Sequence, residues 1–258
     1  MSNYPEPAPF APQQPQAVRI ALPQVKPYAT YILLGFTILV YLLQKGSVLL
    51  IGPAIYDVDW LAAVGEKINE LIRVGQIWRL ITPVFLHGSI YHIGFNMYAL
   101  YVIGRGLESR YGHQRFVALY FLSAFAGNVL SFVLTPEASL GASTAIFGLI
   151  TAEGIFLYQN RKLLGKQVYR AIGNIVMVAV INLVLGTSPG IDNWGHVGGL
   201  LGGLLFAWFG GPRWKVEGIF PSLHLTDERQ GHGLWAGVAA VLVVFLPLTA
   251  IGFLFPSG

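Results

Sequence analysis

The chain has 258 residues, of which 54% are hydrophobic and only 11% charged, with a formal net charge of +4. So little charge cannot solvate a globular surface of this size, which points to a polytopic membrane protein. Cysteine is absent, which excludes disulfides, thiolate catalysis and Cys-based metal sites, and no Lys/Arg cluster is interleaved with aromatics, so nucleic acid is excluded as a partner.

Residues 1–26 are rich in Pro, Gln and Ala and lack the ordered regions of a signal peptide, so a flexible cytoplasmic tail is expected. A spanning helix needs roughly 20 mainly apolar residues. The first such stretch is Tyr28–Leu43. A long loop follows, Gln44 to His87, in which Trp60, Val64, Ile68, Leu71 and Ile72 recur at helical spacing. Glu66, Lys67, Asn69, Glu70 and Arg73 take the other side, the pattern of an amphipathic helix in the outer interface or of a loop helix packed on the protein.

Further spans are expected at Tyr91–Leu107, Phe116–Thr135, Ala142–Gln159, Tyr169–Thr187 and Trp194–Phe209. The sixth carries Gly195, Gly199 and Gly203 in one row and Gly198 and Gly202 in another, spacing that lets helix backbones approach closely in lipid. Residues 27–210 are thus expected to form a six-helix core and 211–232 a cytoplasmic linker. A seventh helix, Gly233–Phe255, falls within 233–258.

Orientation follows from Lys and Arg, which favour the cytoplasmic side. With the N-terminus inside, 12 of the 16 basic residues lie on inner segments, and the other four (Lys45, Lys67, Arg73 and Arg79) lie in the first outer loop. An odd helix count then puts the C-terminus outside. The compact chain with no targeting peptide favours a bacterial plasma membrane.

Polar groups inside a membrane are costly, so each asks for a reason. Ser143 opens the fourth span and His196 lies near the start of the sixth. Both helices enter from the outer face, so the two side chains share a depth and suit a nucleophile–base pair. Singly each signal is weak, because Ser in spanning helices more often packs or bonds back to its own helix. A third element fits: His92 and Asn96 are four residues apart, on one face of the second span, and enter from the same side. Both are suitable oxyanion donors, as is the Ser143 backbone N–H in the first turn of its helix. The carboxylates supply no triad: Asp192 is placed to cap the sixth helix, and Glu153 lies about 15 Å deeper than Ser143. No H-E-x-x-H motif and no pair of membrane-embedded aspartates is present, so neither metal nor cofactor is expected.

At this point the residues carry a family resemblance. "WRLITPVFLHGSIYHIGFNMYAL", "GRGLESRYG", "GASTAIFGL" and "WGHVGGLLGG" resemble, in order, four motifs of the rhomboid intramembrane serine proteases. The resemblance covers about Tyr28 to Gly210, and the last helix resembles the extra helix of the six-plus-one members. It implies an all-α rhomboid-like six-helix bundle with an additional C-terminal helix. It implies Ser143 as nucleophile, His196 as general base and acid, and His92 and Asn96 as oxyanion donors. Phe147 would stack on His196 where many members have Tyr. Trp78, Arg79 and Glu108 match structural positions. Thr144 departs from the Gly that often follows the nucleophile; beside Ser143 it would narrow the substrate path or bond locally.

The function implied is an endopeptidase cleaving transmembrane protein substrates in or near the bilayer through a Ser–His dyad. A second reading is a rhomboid-fold protein that captures helices without cutting, although such relatives usually lack the Ser or the His. A transporter would show an internal repeat with discontinuous helices, and none is seen.

Overall fold

The computed structural model describes residues 22–50, 59–188 and 190–255. The expected tail therefore lies outside the described residues as far as residue 21. The chain is an all-α polytopic membrane protein. Its helices are α1 (Tyr28–Leu50), α2 (Trp60–Gly65), α3 (Asn69–Arg73), α4 (Ile90–Ala99), α5 (Arg105–Tyr111) and α6 (His113–Leu134). They continue as α7 (Ser143–Gln159), α8 (Arg161–Leu164), α9 (Val168–Leu185), α10 (Asn193–Gly210) and α11 (Gly233–Leu254). A π-helical turn, Leu100–Gly104, joins α4 to α5.

Among the described residues, α1, α6, α9 and α11 are long and apolar enough to cross a membrane on length and composition alone. The helices carrying the site residues fall short for local reasons. α7 has 17 residues, α10 is diluted by glycine, and the helix beginning with α4 is interrupted by the π turn.

The core lies where α6, α7 and α10 meet, around Phe116, Tyr120, Leu149 and Phe206. Both glycine rows of α10 are packing surfaces. A Cβ on Gly199 would strike the Thr144 carbonyl oxygen, and one on Gly203 the Gly148 backbone, so this row seats α7. A Cβ on Gly198 would lie 2.5 Å from the Ala126 oxygen and 2.8 Å from Gly127 Cα, so the other row seats α6. In lipid, such close backbone contact is a principal source of helix association. By contrast, the side chains of α9 are largely exposed, and α9 rests mainly on α7.

The first helix runs seven residues beyond the expected Leu43. Gln44 ended the apolar pattern, yet it is fully buried and its amide is satisfied: Nε2 donates to Asp59 Oδ2 at 2.9 Å and Oε1 accepts the His87 N–H at 3.1 Å. The single amphipathic helix expected in the long loop is also corrected. It is two short helices parted by extended backbone at Lys67, which exchanges two hydrogen bonds with Ser139 at 2.9 and 3.1 Å. The expected outward side is partly inverted, with Lys67 and Asn69 buried while Val64 is 59% exposed. Lys67 Nζ donates to the Thr135 and Glu137 carbonyls, and burial pushes its ammonium down to about 8.

Trp78 and Arg79 close the end of α2. The indole donates to Val64 O at 3.0 Å, and the guanidinium to Ala63 O at 2.6 Å and Glu66 O at 2.7 Å. At the other end of the molecule the fully buried Glu108 accepts the Ala29 and Thr30 N–H groups, which caps α1. Segment 211–232, expected as plain linker, carries an antiparallel hairpin of β1 (Trp214–Glu217) and β2 (His224–Asp227). Arg115 holds it through Asp227 at 2.5 Å.

Candidate active site

Ser143 is the first residue of α7, so its N–H has no carbonyl within the helix to receive it. The approach to it is Gly141, whose φ of +135° suits glycine. A Cβ there would also lie 2.7 Å from His92 Nε2. The turn thus brings the nucleophile candidate, a free amide and His92 to one place, with no side chain between them.

Close packing of α10 on α7 brings His196 beside Ser143. Its Nε2 lies 2.9 Å from Ser143 Oγ, within hydrogen-bond range. The Phe147 ring, one turn along α7, stacks on the imidazole with centroids 4.3 Å apart and planes 17° from parallel. His196 is 8% exposed while Ser143 remains half-buried, so the imidazole is held and the hydroxyl is reachable.

Asp192 caps α10 by accepting the Gly195 N–H at 2.8 Å. Glu153 pairs with Arg110, well away from His196. Neither carboxylate hydrogen-bonds the imidazole, so the polar pair is Ser143 with His196.

His92 and Asn96 lie on the wall of the same cavity, which has a volume of about 940 Å³. Ser143, His196 and Phe147 line it, as do Val178, Asn182 and Leu185 from the loosely packed α9. Asn96 Nδ2 donates one N–H to His92 O at 3.0 Å, which fixes the amide and leaves its second N–H for a substrate. Thr144 also borders the cavity but is buried. Its side chain packs between α6 and α10, where a Cβ on Gly127 would lie 2.6 Å from Thr144 Cβ and one on Gly195 3.2 Å from Thr144 Cγ2. Its hydroxyl makes no local bond either.

Nothing in the sequence singles out His87. It is fully buried beside the nucleophile turn, and its Nε2 accepts the Ala142 N–H at 3.4 Å. Its partner is 55 residues away, a distance at which sequence pattern gives no signal.

A membrane-embedded helix bundle with a serine and a histidine hydrogen-bonded at the starts of two glycine-packed helices is the class of protein defined here. Residues 74–213, just over half of the chain, match the Rhomboid domain. The chain belongs to the rhomboid family. It is 40% identical over 184 residues to Rhomboid protease GluP of Bacillus subtilis (strain 168), an alignment covering 70% of this chain and 34% of that protein. It is 31% identical to Rhomboid-like protease 1 of Toxoplasma gondii over 209 residues, covering 79% of this chain and 67% of the relative. RHOMBOID-like protein 4 of Arabidopsis thaliana is 32% identical over 185 residues, covering 71% and 44%. The chain thus spans less than half the length of the GluP and Arabidopsis relatives.

Proposed function

We propose that this chain is a serine-type intramembrane endopeptidase that hydrolyses peptide bonds in or near the transmembrane segments of membrane proteins. The observation that carries the reading is the 2.9 Å contact between Ser143 Oγ and His196 Nε2 at the floor of a cavity large enough for a peptide segment. Ser143 Oγ attacks the scissile carbonyl while His196 Nε2 takes its proton. The oxyanion forms against the Ser143 N–H, with His92 and the second N–H of the Asn96 amide as further donors. His196 passes the proton to the leaving amine, the C–N bond breaks, and Ser143 is left as an ester. Water then adds to the ester with His196 again as base, and the acid product leaves.

Phe147 keeps the imidazole plane fixed through both steps. The small residues Gly141 and Ala142 leave room for the substrate backbone. In this reading residues 27–210 are the catalytic core, 1–26 a cytoplasmic tail, 211–232 a cytoplasmic connection and 233–258 a seventh spanning helix. The N-terminus is cytoplasmic, the C-terminus is outside, and the membrane is a bacterial plasma membrane. The non-cutting alternative rested on Thr144, whose side chain packs against Gly127 and Gly195.

The test is cleavage in detergent of a single-span substrate with small residues near its outer membrane boundary. Wild type should cut it, and Ser143→Ala and His196→Ala should each abolish the cut while leaving thermal unfolding close to wild type. Cleavage that survives in Ser143→Ala would overturn the reading.

A further inference from the structure

We infer that His87 is a positioning residue for the nucleophile, its ring holding the Ala142 N–H and so fixing the turn from which Ser143 starts α7. The inference rests on the protease reading above. Most helices cap their own first turn with a Ser, Thr, Asp or Asn side chain. α7 has Ala142 at that place and no side-chain cap. A side chain there large enough to cap would crowd the substrate path beside Ser143. The orphan N–H of Ala142 is met instead from across the fold, by His87 Nε2 at 3.4 Å. The neighbouring Gly141 N–H goes to Pro83 O at 2.9 Å. Two successive amides ahead of Ser143 are therefore anchored on the segment 83–87.

The anchor is itself held. Gln44 of α1 brackets the His87 backbone: its Oε1 accepts the His87 N–H at 3.1 Å, and its Nε2 donates to His87 O at 3.5 Å. Nε2 also donates at 2.9 Å to Asp59, whose other oxygen caps α2. His87 and Gln44 are both fully buried. The His87 ring meets the His92 ring edge-on at 5.0 Å, and His92 in turn borders Gly141. As Nε2 is the acceptor, the ring proton sits on Nδ1 and the imidazole works in its neutral form. A histidine present only to fill the core would not need that acceptor.

The test compares His87→Gln with His87→Met, side chains of equal length that differ in the acceptor oxygen. The full-length protein in detergent is titrated with a fluorophosphonate probe, which separates the maximal labelling rate of Ser143 from the probe's affinity. His87→Gln should keep the maximal rate within about 3-fold of wild type, while His87→Met should lower it by about tenfold or more with affinity little changed, as expected for a reacting atom displaced by a fraction of an ångström. Equal rates in the two variants would overturn the inference, whether both are fast or both slow. Should His87→Met not fold, His87→Gln alone decides: a rate about tenfold below wild type would overturn the inference, since an acceptor at that reach would then not suffice. A wild type that labels nowhere would sink the protease reading together with this inference. Labelling at Ser143 with no difference between the variants would sink only the inference.

Discussion

Asn96 separates two kinds of contribution at the residue scale. One N–H of its amide is held by His92 O, and the other strengthens its interaction only as charge develops on the substrate oxygen. Asn96→Ala should lower turnover by about 10²-fold, the usual loss for one oxyanion donor. Substrate affinity should change less; a variant altered only in affinity would make Asn96 a packing residue. His87 gives a pH signature. Burial and the neighbouring His92 push its imidazole down to about 3, against about 6.5 in an unfolded chain. Between these values the unfolded state takes up a proton that the folded state refuses, so folding stability falls as pH drops from about 6.5 towards 3. His87→Gln should remove that part of the acid sensitivity, seen as a smaller drop in Tm between pH 7 and pH 4. An unchanged slope would mean that the His87 ring is not neutral and buried as described. Ser143, His196, His92 and Asn96 stood out in the sequence because polar side chains at the ends of apolar helices are conspicuous. Of the two readings of Thr144, the local hydroxyl bond is absent, because the next residue on a helix lies about 100° round, which here turns its side chain towards α6 and α10.

Among the elements, α10 makes the sharpest demand. Its Gly199 and Gly203 seat the backbone of α7, and any shift there moves His196 relative to Ser143. Gly203→Val should lower Tm strongly and abolish cleavage. Gly173 of α9 meets nothing within 4 Å, so Gly173→Ala should be neutral or stabilising by about 1 kcal/mol, the helix preference of alanine over glycine. Thermal unfolding in detergent compares the two, and equal losses would mean that α10 does not pack through its glycine rows. Thr144→Gly should lower Tm by opening a gap between α6 and α10, with cleavage per folded molecule within about tenfold of wild type. The glycine rows were legible because their period is that of the helix. The loop between α1 and α4 was not, because its shape depends on partners distant in sequence. Lys67 pairs with Ser139, and Gln44 with Asp59 and His87. A helical period from Trp60 to Ile72 gave no sign that the Lys67 backbone would be taken by another segment.

For the whole molecule, the starts of α4, α7 and α10 converge on one cavity, while the hairpin and the Glu108 cap of α1 lie at the opposite end. Under the proposed topology the cavity opens outward and the hairpin faces the cytoplasm. Reporter fusions after Lys162 and at Gly258 should therefore give opposite sidedness, the first cytoplasmic and the second outside. Matching sidedness would mean a miscounted helix and would place water access to Ser143 on another face. The overall architecture was readable from the spacing of apolar stretches, since lipid requires the backbone polar groups of each span to be satisfied within the helix. The hairpin in 211–232 was not readable, because strands this short are fixed by the contact of Arg115 with Asp227 rather than by a pattern of their own.

The central claim is that Ser143 is a nucleophile activated by His196. The most direct measurement is reaction of the purified protein with a fluorophosphonate, followed by mass spectrometry of the modified peptide. The account predicts a single covalent adduct on Ser143, lost in Ser143→Ala and strongly slowed in His196→Ala. An adduct on another residue, or labelling that persists in Ser143→Ala, would contradict it.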